Sequence, residues 1–318
     1  MATSASSDFN LNRDEIIEGA ARKIQAIRAG ASMSDKMRAD FAQALNAMVK
    51  RWMSSGIHVW KVTEATLFPA INTAEYALSN AVTSAHATES FVDTQMATAA
   101  ASGASTLTVD DDAGFANADN IGITLDDGTM QWTTINGVPA ANVITLTDNT
   151  TDTVAVDNRI YGYTNKIVRP LKITDARRHD PVNVIDTPLT IISRFEYQWQ
   201  PEKLSTGEIN QFYYDPQLGT GKLFLWQVIT AVGDLVKFTW HKPIEDFDSA
   251  GDNPDLPQEW IDTLIFNLAV VMAPEFEVPR NVMEGEYGVG AQADKYLDQL
   301  TGYDREHEGV SFGMDFDR

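Results

Sequence analysis

The spacing of apolar residues changes period twice along this chain, and that change restricts the fold more than any single motif. Between Ile16 and Trp52 apolar residues recur every three or four positions. From about Glu64 to Trp240 the pattern becomes short Thr/Val/Ile and aromatic runs separated by turn residues. From Trp260 the three-and-four spacing returns. A period near 3.6 belongs to a helix with one buried face, and a period of two belongs to a strand. Helices at both ends with strands between them predict an α+β protein. Its terminal helical bundle is built from both chain ends, and an inserted all-β module and an antiparallel β-sheet domain project from it.

The helical ends carry their own punctuation. Asn12-Arg13-Asp14-Glu15 has the form of a capping box, with acids in the first turn where the helix dipole favours them. Ile16, Ile17, Ala20, Ile24 and Ile27 share a face, and Gly30 is the expected stop. A second helix begins at Ser34, with Met37, Phe41, Leu45, Met48 and Trp52 as its stripe and Gly56 as its end. The short linker between them predicts an antiparallel pair, with Trp52 and Trp60 as core residues. Near the other end Pro257 opens a helix whose face is Trp260, Leu264, Leu268 and Val271 or Met272, and Pro274 halts it. A last helix is expected over about 290–300.

In the middle, strands are expected at 106–109, 121–125, 129–135, 143–147 and 159–163. Asp127-Gly128 marks a hairpin between two of them. Larger, more aromatic strands follow at 209–214, 222–228 and 235–240. The expected division is therefore a helical pair (1–60), an inserted β-rich module (61–165), an antiparallel β domain (166–245), C-terminal helices completing the bundle (246–302) and an acidic tail (303–318).

Charge narrows the function. Across 318 residues there are 24 Lys and Arg against 45 Asp and Glu. Val62–Asn158 holds no Lys or Arg but 13 acids, and Glu245–Arg318 holds 18 acids against 4 cations. These stretches sum to −27 of the net −21, which leaves about +6 for the rest. Gripping nucleic acid takes clustered Lys and Arg, and so does docking on anionic lipid, so both classes are disfavoured. There is no cysteine for disulfides or thiolate-bound metals. The first 30 residues lack the charged-then-apolar order of a signal peptide, and the apolar run 264–273 is half a membrane span.

Catalytic signatures are absent. His58, His86, His179, His241 and His307 are scattered, with no metal-binding spacing. Gly219-Thr220-Gly221-Lys222 lacks the phosphate-loop spacing and precedes a strand, so it reads as a hairpin turn. Asp110-Asp111-Asp112 and Asp126-Asp127-Gly128 lack the closing Glu of a calcium loop and read as solvated turns. No metal, cofactor or catalytic residue is expected. The alternatives left open are a peptidoglycan hydrolase acting through a carboxylate pair, and a carbohydrate-binding or fibre-like β-protein.

Two runs at opposite ends resemble one family. The first is Arg13-Asp14-Glu15-Ile16-Ile17, Arg22-Lys23-Ile24, Ala44-Leu45-Asn46 through Lys50-Arg51-Trp52, and Gly56 to Trp60. The second is Leu256-Pro257 to Pro274-Glu275, with Trp260, Asn267, Leu268 and Ala269. Together they resemble the head-to-tail adaptors, or packaged-DNA stabilisation proteins, of short-tailed bacteriophages. Leu125 to Thr134 is similar to the segment that follows an insert in larger members.

The resemblance implies a virion structural protein at the head–tail junction, assembled in the host cytoplasm, and not an enzyme. It implies a ring of about twelve copies beneath the portal protein that contacts a tail hub or nozzle and a fibre or spike. Double-stranded DNA would pass through its channel without sequence-specific contacts, and no membrane would be involved. Tyr303, Phe312, Met314 and Phe316 would dock on the portal. Ile16, Ile24, Phe41, Leu45, Trp52, Trp60, Trp260, Leu264 and Leu268 would pack the bundle and the ring. An acidic surface suits such a conduit, because like charges let DNA slide.

Overall fold

The computed structural model describes residues 9–28, 30–54, 61–81 and 85–303. Among them are six α-helices and fifteen β-strands, in a mixed α/β architecture whose sheets are almost entirely antiparallel. The chain divides into two compact units. One comprises residues up to Lys61 together with those from Ile244 on, and the other is Val62–Pro243.

In the first unit α1 (Arg13–Lys23) and α2 (Asp35–Ser54) share one hydrophobic core with α4 (Ile261–Met272). Asn12 caps α1 in a complete capping box with Glu15. The helix ends at Lys23, seven residues before the expected Gly30. Gln25 takes a left-handed φ of 62° while its N–H reaches the Arg22 carbonyl and the Ala26 N–H reaches that of Ala21. This is a Schellman ending with glutamine in the position glycine usually fills. Trp52 and Trp260 meet edge-on at 5.8 Å inside the core. Beyond α4 a 3-10 turn over Ala273–Phe276 leads to α5 (Arg280–Met283) and α6 (Val289–Tyr303).

An acidic loop over 245–255 is tied down by cations from the opposite chain end. Lys50 pairs with Asp246 at 2.5 Å, the buried Lys61 with Asp255, and the Arg13 guanidinium donates to the Asp248 carbonyl. Part of the acidity near the C-terminus is thus neutralised within the chain.

The second unit begins with β1 (Val62–Leu67), β2 (Glu75–Leu78) and β3 (Ala87–Thr88). It continues with β4 (Val92–Gln95), β5 (Thr106–Thr108), β6 (Asn120–Thr124), β7 (Met130–Thr134), β8 (Val143–Thr145) and β9 (Arg159–Tyr163). After β10 (Lys172–Asp180), β11 (Ile185–Pro188) and β12 (Thr190–Ile191) comes α3 (Arg194–Trp199). The unit closes with β13 (Gln211–Asp215), β14 (Gly221–Trp226) and β15 (Leu235–His241).

Strand pairing does not follow the boundary expected between 61–165 and 166–245. β1 and β3 join β11, β10 and β15 in one sheet, and β2 joins β12, β13 and β14 in another. The first and last strands are partners, Val62 opposite His241. Their shared core includes Leu67, Leu78, Phe212, Phe238 and Trp240.

The inserted module is the shorter span from β4 to β9. Its order β4-β9-β6-β7 is carried on by the bridge Ile135–Leu146 into β8 and β5, and the bridge Met96–Val109 returns from β5 to β4. The six strands therefore close on themselves around Met96, Leu107, Ile121, Ile123, Ile144 and Ile160. Asp127-Gly128 makes the β6–β7 turn, with Gly128 at φ 83°.

Candidate functional site

Most residues singled out by sequence lie inside the first unit's core. Ile16, Ile24, Phe41, Leu45, Trp52, Trp260, Leu264 and Leu268 are all buried there. Their packing is made within the chain, so these side chains are not offered to a neighbour. Tyr303 is the last residue of α6. Trp60, Phe312, Met314 and Phe316 lie outside the described residues.

The polar clusters resolve into structural roles. Asp126 accepts hydrogen bonds from the Ala155 N–H and the Asn158 amide, and Asp127 accepts from the Thr129 N–H and hydroxyl. The Thr153 side chain, then the Ala155 N–H, hold the Asp126 carboxyl below its usual range, and the Thr129 hydroxyl and N–H do the same for Asp127. Asp111 and Asp112 accept from the backbone N–H groups of Ala113 and Asn142. Among the described residues no three His, Asp or Glu side chains are grouped to hold a metal ion. Gly219 to Lys222 lies at the β13–β14 turn, and Lys222 pairs with Glu75 at 2.5 Å.

One cleft of the second unit looks chemical at first sight. It measures about 560 Å³ and is lined by Asn80, His86, Asn120, Asn165 and Lys166 among others. The His86 ring stacks on Trp132 at 3.8 Å, and its Nδ1 lies 2.6 Å from the Tyr163 hydroxyl. Burial, reinforced by the Lys166 charge, pushes the His86 pKa down to about 3, and burial pushes Tyr163 up. A general acid or base works best with a pKa near the working pH. Both groups are displaced from it in opposite directions, so burial favours their neutral forms, and the His86 ring packs flat on Trp132. It adjoins an aromatic seam where Phe68 meets Phe91, Trp132 and Tyr161 at 5.1–5.4 Å.

On β10 Arg177, Arg178 and His179 each meet a carboxylate of the same unit. Arg177 pairs with Glu64 and Asp186, Arg178 with Glu208 and Asp234, and His179 Nδ1 lies 2.6 Å from Asp186. Hydrogen bonding to His179 is the leading reason the Asp186 carboxyl is held low.

The unusual surface is apolar. Among the described residues, fourteen large hydrophobic side chains are exposed, and seven of them fall in one run of chain. They are Val182, Val184 and Ile185 around the β10–β11 turn, then Ile191, Phe195, Trp199 and Leu204. Phe195 is 62% exposed and Trp199 74%. The two stand one turn apart on α3 with ring centroids 5.0 Å apart. Beside them is a cleft of about 320 Å³ lined by Ile192, Glu196, Gln200 and Gln211. Sequence reading placed these aromatics in a β region and missed the helix. The available signal was Ser193-x-x-Glu196, which forms a complete capping box.

No known protein-family description matches the chain, and no curated protein matches it.

Proposed function

We propose that this chain is a structural adaptor of a short-tailed phage virion, not an enzyme, and that it works as a ring of about twelve copies between portal and tail. The ring would extend the DNA channel, help retain packaged DNA, and hold a hub, nozzle or fibre. In this reading the helices of both chain ends form a terminal bundle, and the β unit is inserted between them in the chain.

One observation carries the proposal. The two sequence runs that resemble the adaptor family start at opposite ends of the chain, yet their apolar residues lie in a single core. Ile16, Ile17, Ala20, Ile24, Leu45, Met48 and Trp52 share it with Trp260, Leu268, Ala269 and Ala273. Distant motifs that converge on one core behave as parts of one inherited design. The net charge of −21 also suits a wall past which DNA slides.

The test is the mass and shape of the assembly formed by the full chain, alone and mixed with portal rings, by light scattering and negative-stain microscopy. A ring near twelve copies that caps the portal is expected. A chain that leaves portal rings uncapped and releases sugars from peptidoglycan would overturn the reading.

A further inference from the structure

We propose that the run from Val182 to Leu204, centred on Phe195 and Trp199, is the surface on which a second copy of this chain docks. The proposal deepens the adaptor reading and rests on it for the presence of many copies.

Three observations carry it. The first is area. Seven large side chains of this one run, each left more than half exposed, sum to roughly 700 Å² of apolar surface, the order of one partner's share of a stable interface, and the two largest meet at 5.0 Å. The second is charge. A chain at −21 repels its own copies over most of its surface, so a docking face must be locally neutral. Residues 182–204 hold two Lys and Arg against three Asp and Glu, a net of −1 and so close to neutral. Both cations are engaged within the chain, Arg194 with the Asp215 carboxylate and Lys203 with the Tyr197 and Gln200 carbonyls. The third is chemistry at the centre. Phe195 and Trp199 project from a short helix fixed by its own capping box, so the anchor is ordered before binding. In the cleft beside them Gln200 donates to the Gln211 side-chain oxygen, which leaves the Gln200 oxygen and the Gln211 amide N–H groups to face a partner's backbone.

The face does not work by open-edge strand addition. The edge strand β11 places Asp186 and Pro188 among its four residues, and both discourage edge-to-edge pairing. Side-chain burial against α3 is the mode the residues favour.

The test uses the full chain. Sedimentation equilibrium over a wide concentration range compares the native protein with a Phe195→Ser/Trp199→Ser double variant and with Leu218→Ser, which alters an equally exposed apolar residue elsewhere. Circular dichroism checks folding. A Gln198→Cys variant, labelled with a photoreactive maleimide at the chain's sole thiol, reports who sits on α3. The expected result is self-association weakened at least tenfold in the double variant, unchanged in Leu218→Ser, and a covalent dimer from the labelled protein.

Equal assembly of the double variant would overturn the docking surface and leave the adaptor reading standing. A closed two-copy particle abolished by the double variant would uphold the surface and sink the ring. A native protein that stays monomeric, gives no covalent dimer and binds oligosaccharides through Trp199 would overturn the proposal in favour of a sugar ligand.

Discussion

The second unit contains two solutions to the same problem. In the module from β4 to β9 each strand finds a neighbour on both sides, and the cycle closes through the bridges at Ile135–Leu146 and Met96–Val109. In the open sheets the order runs out at β11 and β12, whose residues are all exposed. Closure uses up apolar surface, because every inward side chain meets others. It also demands close approach. A Cβ on Gly162 would stand 2.4 Å from the Phe115 ring, and one on Gly122 2.7 Å from Trp132. The open sheets have close approaches of their own, a Cβ on Gly221 standing 2.0 Å from the Tyr214 hydroxyl, but their order leaves edges, and there Ile191, Phe195 and Trp199 remain uncovered. The closed module encloses its apolar side chains, and the open rim is where apolar surface stays uncovered.

This contrast can be broken by measurement, starting with the largest effect. Ile160→Ala empties a fully buried site in the closed module and should cost about 2–5 kcal/mol in urea unfolding. A loss below about 1 kcal/mol would mean the module is looser than its closure implies. Gly162→Ala forces the Phe115 ring to move and should cost about 1–3 kcal/mol by the same assay.

The joint between module and sheets should respond to acid. The folded chain holds His86 neutral with a pKa near 3, whereas the unfolded chain takes up a proton below about 6.5. The unfolded state therefore binds more protons between those values, and stability contributed by a neutral His86 is lost as pH falls through that window. His86→Gln should flatten the fall, with Trp132 emission as the local readout. A slope that Gln leaves unchanged would assign the acid sensitivity elsewhere. The smallest effect is expected at the rim: Trp199→Ser should change folding stability by no more than about 0.5 kcal/mol, because the side chain is already in solvent.

What could be read from sequence follows the range of the interactions. The capping box of Asn12 and Glu15 and the Asp127-Gly128 turn are local chemistry, and both lie where the residues place them. The end of α1 was missed because Gln25 adopts the left-handed turn that glycine normally signals. α3 was missed because Phe195, Tyr197 and Trp199 alternate like a strand, which outweighed the capping signal at Ser193. The module boundary was missed for a different reason. Val62 to Thr88 pairs with strands near residues 221–241, and nothing in a strand's own sequence names so distant a partner. The exposed aromatic rim was equally hidden, since exposure is decided by what the fold leaves uncovered.

The pairing of Val62 with His241 has a consequence for how such a chain changes over time. The second unit leaves and returns through adjacent backbone positions, so a short bridge between residues 61 and 244 could stand in for the whole β unit at a small loop-closure cost. The helical unit would need no new geometry to accept a shorter, longer or unrelated insert. The β unit thus enters and leaves through one paired doorway, Val62 beside His241. Selection could retool what the protein presents to its surroundings while the core built from the two chain ends stays as it is.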